Sequence, residues 1–313
     1  MLYHNTNNDK VSRMRCLSLM FTALLLFGGA ALAQVPRVVT DIPAVHSLTA
    51  QVMGDLGEPV LLVTGASDPH HVILRPSQAR ALARANMVIW VGPDLTPWLA
   101  QSLSSLAPDA WFLALLDLPE TKLLGFDQRQ IGAGSAVDPH AWLDPENAAL
   151  WLTAIADALS LQDPENRPTY RANAASARQN LAELLGEIRA ELVPATQAQL
   201  IVAHDAYGYF ARRFALNISG VLSDGDAAKP GAAHLRNIRT LLDSGTIACA
   251  FDEPNSNPAL LKTLVKGTGV PTAVLNPSGI GIEPGPELYG TMMRILASDI
   301  AACIGAGPGN HSE

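Results

Sequence analysis

This 313-residue chain has no Lys/Arg run and no apolar stretch long enough to span a bilayer, and it lacks HExxH, CxxC and EF-hand patterns. The first absence, with 29 acidic against 21 basic side chains and a formal charge of −8, argues against nucleic acid or an anionic lipid surface as partner. The second leaves no membrane anchor. The others remove the common local signatures for zinc and calcium. Charged residues make up only 16% of the chain, while 48% is hydrophobic, and the 22 prolines and 24 glycines are scattered without period. Neither a disordered linker nor a repeat array fits that pattern.

Cysteine is also scarce, at three. Arg13 and Arg15 precede an apolar run from Leu17 to Phe27, and small residues follow, ending Ala31-Leu32-Ala33. A basic segment, a short apolar segment and an A-x-A site read as a cleaved secretory signal over residues 1–33, with translation starting at Met1 or Met14. The mature chain is then expected in the periplasm, with no membrane insertion. Cleavage discards Cys16 and leaves Cys249 and Cys303, an even pair expected to form a disulfide in an oxidising compartment. It also removes Lys10, Arg13, Arg15 and Asp9, leaving 18 basic and 28 acidic side chains and a charge of −10.

From Gln34 onward, short β-branched runs alternate with amphipathic stretches. Strands are predicted at Arg37–Thr40, Val60–Val63, Met87–Val91, Trp111–Leu115, Leu200–Ala203, Ile218–Leu222, Ile247–Phe251 and Thr272–Leu275, with helices between them. Such repetition implies parallel sheets covered on both faces. Between the two sets lies a helical region, Glu146 to Val193, broken where Asp163-Pro164 and Arg167-Pro168 interrupt the periodicity. The expected fold is α/β: an N-terminal lobe over 34–165, a linking helix over 166–193 and a C-terminal lobe over 194–313, each lobe a parallel sheet flanked by helices.

Seven histidines remain after the signal. His70, His140 and His204 each follow a strand or open a helix, where ligands gather in open α/β sheets, and three imidazoles meeting there would make a metal site. His46 is expected to pack or face solvent, His71 to lie on the surface, His234 to sit on a solvated helix face and His311 to belong to a frayed tail.

Three of these histidines sit in a set of motifs: Gly65-Ala66-Ser67-Asp68-Pro69-His70 running into Leu74-Arg75-Pro76-Ser77, then Val88-Ile89-Trp90-Val91-Gly92-Pro93, Asp138-Pro139-His140-Ala141-Trp142-Leu143-Asp144-Pro145, His204-Asp205-Ala206-Tyr207-Gly208-Tyr209-Phe210 and Phe251-Asp252-Glu253-Pro254. In this order the chain resembles the periplasmic solute-binding proteins of zinc and manganese ABC importers. The resemblance implies two lobes on one long helix, a metal held between them by His70, His140 and His204, a Cys249–Cys303 disulfide, no enzymatic activity and an ABC permease as partner to a monomer. Manganese-specific relatives tend to carry a carboxylate where His204 stands, so Zn²⁺ is the expected cargo, with manganese or iron as the alternative; imidazole suits zinc, whereas Mn²⁺ prefers oxygen.

The chain departs from that family pattern in three places. Asn276 stands where an aspartate is usual, leaving the fourth donor open among Glu253, Asp252, Asn276 and water. Residues Leu118 to Val137 contain no histidine, so the His-rich loop of many zinc members is missing. His71 follows the first ligand where an acidic residue is common. A second reading is a three-His zinc hydrolase with Glu253 as general base, since three imidazoles and an open water position also make a catalytic centre.

Overall fold

The computed structural model describes residues 35–64, 68–126, 136–223, 230–254 and 256–306. The expected signal segment, with Cys16, and Gly65 to Ser67, part of the Leu118–Val137 loop and His311 lie outside them. All eight expected strands form, within one or two residues of the expected bounds. The first sheet holds β1 (Val38–Thr40), β2 (Val60–Leu61), β3 (Met87–Trp90) and β4 (Trp111–Ala114), in the order β2-β1-β3-β4 and parallel throughout. The second holds β5 (Gln199–His204), β6 (Asn217–Ser223), β7 (Ile247–Asp252) and β8 (Thr272–Val274), parallel in the order β6-β5-β7-β8.

The helices are α1 (Pro43–Met53), α2 (Pro76–Ala83), α3 (Pro97–Leu106), α4 (Pro145–Gln162), α5 (Arg167–Glu191), α6 (Gly208–Phe214), α7 (Ala232–Asp243), α8 (Pro258–Val265) and α9 (Leu288–Ala306). Proline opens six of them in the first turn, where its missing N–H costs nothing. The break at Asp163-Pro164 is real: α4 stops at Gln162, and α5 runs 25 residues, about 37 Å at 1.5 Å per residue.

Alternation along the strands explains why their sequences are apolar without interruption. Val38, Met87 and Ile89 point to one face, and Val39, Val88 and Trp90 to the other, where α2 and α3 supply Leu82, Leu99 and Leu103. The second sheet repeats this, with Leu200, Val202, Cys249 and Phe251 inward and Ile201 and Ala250 outward against Ile238, Leu242 and Leu261. The inward faces of both sheets, α1, α4, α5 and α9 share one continuous core, with Trp142, Trp151, Tyr170 and Tyr289 fully buried in it.

Several hydrogen bonds join segments far apart in sequence. Ser47 of α1 donates its hydroxyl to the Pro286 carbonyl (2.8 Å) and accepts from the Tyr289 backbone N–H (3.0 Å). Arg213 of α6 forks onto the Asp144 carboxylate, both bonds 2.7 Å, and reaches Glu146 Oε1 at 2.5 Å. Cys249 of β7 and Cys303 of α9 are disulfide-bonded, their Cα atoms 6.1 Å apart.

His234 departs from its expected solvated face, whereas His46 takes the packed alternative. His234 is half-buried, its Nε2 2.7 Å from the Val221 carbonyl of β6, so the helix face it shares with Arg236 and Arg239 is not wholly solvated. His46 is buried, its Nε2 3.0 Å from the Pro59 carbonyl, and burial holds its imidazole below the ordinary range. His71 is exposed, its Nδ1 3.0 Å from Asp68 Oδ2.

Candidate metal centre

In a doubly wound sheet the crevice opens where strand order reverses, at the carboxyl ends of the two strands flanking the reversal. Those strands are β1 and β3 in the first sheet and β5 and β7 in the second. His204 is the last residue of β5, and Glu253 immediately follows the last residue of β7. At the corresponding place in the first sheet the chain puts Asp41, wholly buried, its carboxylate accepting from the Ile42 N–H (2.8 Å) and from the Val91 N–H (2.9 Å) just past β3. Burial raises this carboxyl to about 7 against the pull of those two donors. Asp41 fastens the loop ends of β1 and β3 together, a role no motif in the sequence announces.

His70 and His140 are carried by the same local structure. In each Asp-Pro-His the aspartate Oδ1 accepts from the histidine backbone N–H, at 2.9 Å from Asp68 and 3.0 Å from Asp138, closing an Asx turn that the intervening proline pre-shapes. The Asp68 turn is anchored by Trp98 of α3, whose indole N–H donates to the Pro69 carbonyl at 2.8 Å. The Asp138 turn is deeply buried, with Asp138 1% and His140 2% exposed. Asp138 Oδ1 also lies 2.8 Å from His140 Nδ1, the partner that fixes a ligating imidazole's tautomer and orientation and leaves Nε2 for a metal. Tyr209 donates its hydroxyl to the Asp138 carbonyl (2.9 Å) and accepts from the Leu124 N–H (2.9 Å). Trp142 packs its ring against His140, donates to the Pro277 carbonyl (3.0 Å), and has its own carbonyl held by the Tyr289 hydroxyl (2.7 Å).

The three rings converge. Their centroids are 5.7 Å apart for His70 and His140, 6.2 Å for His70 and His204, and 4.9 Å for His140 and His204. One nitrogen from each lies within 4.8 Å of the other two, and among the described residues no Cys, Asp or Glu joins this group. Imidazole nitrogens on a tetrahedral zinc stand roughly 3.3 Å apart, so loading needs a contraction of about 1.5 Å at most.

The three protein candidates for a fourth donor are differently placed. Asn276 is spent on its own turn: Nδ2 donates to the Ile280 carbonyl (2.7 Å) and Oδ1 accepts from the Ile280 N–H (3.0 Å). Asp252, 8% exposed, accepts from the Glu253 N–H and the Ser256 hydroxyl. Glu253 comes nearest to a ligand, with Oε1 3.6 Å from His204 Nδ1, and the same oxygen accepts from the Tyr207 hydroxyl at 2.8 Å. Burial, and next Glu253, push the Tyr207 phenol well above its ordinary value, which keeps it a donor. Asn276→Asp is therefore expected to leave zinc affinity within about threefold of wild type, since the new carboxylate would face the Ile280 carbonyl and lose a donor there; competition against a chromophoric chelator measures it, and clear tightening would place position 276 at the ion.

Two α/β lobes built on one core and one long helix, with three imidazoles meeting beyond the carboxyl ends of their strands, define a solute-binding architecture suited to a bare cation. Residues 38–303 match the family model described as zinc-uptake complex component A, periplasmic. The chain is 41% identical, over 94% of its length and 99% of the relative's, to the high-affinity zinc uptake system protein ZnuA of Paracoccus denitrificans, and 32% identical, over 94% and 99%, to that of Brucella abortus. A crystal structure of ZnuA superposes with a TM-score of 0.74 at 25% identity, covering 86% of this chain and 99% of that one. The chain belongs to the ZnuA family of zinc-uptake solute-binding proteins, which are not enzymes.

Tyr207, Tyr209, Asp138 and Trp98 were present in or near the recognised motifs, but their roles were not readable there. The repeated Asp-Pro-His was the one available signal: an aspartate two residues before a histidine, locked by proline, can reach back to it.

Proposed function

We propose that this protein captures Zn²⁺ on His70, His140 and His204 and delivers it to the permease of an ABC-type importer. The observation that carries this reading is the convergence of three imidazole nitrogens within 4.8 Å, with no carboxylate in the group. An all-nitrogen set favours zinc over manganese, which prefers oxygen donors. A zinc-bound relative supports the same cargo: the crystal structure of Zn(II)-bound AdcA from Streptococcus pneumoniae superposes with a TM-score of 0.66 at 25% identity, over 85% of this chain and 58% of that one. In this reading residues 1–33 are a cleaved secretory signal, and the mature protein works in the periplasm as a monomer. We assign the N-terminal lobe to 34–165, the linking helix to 166–193 and the C-terminal lobe to 194–313.

Calorimetric titration of metal-free protein is expected to give one tight zinc per chain and, in competition, preference for zinc over manganese. Binding of several zinc ions at equal, weak affinity, or tighter binding of manganese, would overturn the assignment.

A further inference from the structure

We infer that Glu253 and Tyr207 form a positioning pair behind His204, with Glu253 orienting that imidazole and balancing the charge of the ion from outside its coordination shell. This rests on the three-histidine reading above and assigns the site a second layer. Strands β5 and β7 are neighbours in register Val202 to Phe251, which brings His204 and Glu253 together at their carboxyl ends. There Glu253 Oε1 faces His204 Nδ1 at 3.6 Å, and the buried Tyr207 hydroxyl holds that same oxygen at 2.8 Å. The carboxylate is not among the donors that come within 4.8 Å of one another.

The arrangement mirrors the one at His140, where Asp138 Oδ1 meets Nδ1 at 2.8 Å and Tyr209 holds the Asp138 carbonyl. In both cases the carboxylate stands on the Nδ1 side and leaves Nε2 for the ion, and in both the supporting tyrosine comes from the start of α6, Tyr207 capping that helix and Tyr209 lying in its first turn. Two backing carboxylates supply two negative charges. That offsets a doubly charged ion held by neutral imidazoles and accounts for a chain that carries Asn276 where the family carries aspartate. Carboxylates in this outer position tune affinity by tenfold to a hundredfold without touching the metal.

The test uses zinc competition titrations and Co²⁺ absorption spectra of the whole mature protein. Tyr207→Phe and Glu253→Gln are each expected to weaken zinc about tenfold, while the energy and intensity of the cobalt ligand-field bands stay those of wild type. Zinc affinity within twofold of wild type in both variants would overturn the pairing. A Glu253→Gln cobalt spectrum with shifted or weakened bands would also overturn it, because Glu253 would then be a ligand. If Tyr207→Phe does not fold, Glu253→Gln alone decides between these outcomes. Retention of tight zinc by His140→Ala would instead strike the underlying three-histidine reading, whatever the two variants do.

Discussion

Replacing His140 with alanine is expected to lower zinc affinity by roughly two to three orders of magnitude. Zinc held by a small set of protein donors is bound by about 10–16 kcal/mol, so each donor carries about 3–4 kcal/mol, and every 1.4 kcal/mol is tenfold in affinity. Of the three proposed ligands, His140 is the one for which a purely structural effect is easiest to separate. It meets Asp138 through Nδ1 and its backbone N–H and Trp142 through its ring, and the alanine variant keeps the backbone bond that shapes the turn. Competition titration with a fluorescent chelator would read the loss, and circular dichroism of the metal-free variant should superpose on wild type. Binding reduced by less than tenfold would remove His140 from the ligand set.

The second large effect concerns stability. Cys249 and Cys303 are 54 residues apart, and on a chain-entropy basis closing a loop of that length stabilises the fold by about 4 kcal/mol. The bridge joins β7, whose far end carries Asp252 and precedes Glu253, to α9, whose first turn holds Trp142 through Tyr289. A Cys249→Ser/Cys303→Ser double variant is expected to unfold at a urea midpoint lowered by an amount equivalent to about 4 kcal/mol, with zinc adding back stability as its concentration rises above Kd. A shift below about 1 kcal/mol would mean that the shared core alone fixes α9.

Much of the architecture could be read directly from the sequence. Parallel strands buried on both faces give apolar runs such as Met87-Val88-Ile89-Trp90, and proline and aspartate mark the helix starts and the break at Asp163-Pro164. The three histidines were legible because each follows a strand end or an Asp-Pro turn. What one sequence could not supply was the set of contacts between distant segments. Nothing local indicates that Tyr207 bonds Glu253, 46 residues away, or that Asn276 turns its amide onto Ile280. His234 was misplaced for a related reason: Arg236 and Arg239 on its helix suggest an exposed face, but imidazole is small enough to tuck under it and reach the Val221 carbonyl.

The hydrogen bonds of Ser47 to Pro286 and Tyr289 have a further consequence, for the order in which the molecule assembles. Helix α1 is among the earliest elements of the chain and α9 the latest, some 240 residues apart, yet they share one core. The first sheet cannot finish burying its helix until the last helix arrives, and contacts of such long sequence separation make folding slow. A nascent chain would stay incomplete to its end, and its core would close only once α9 had been made.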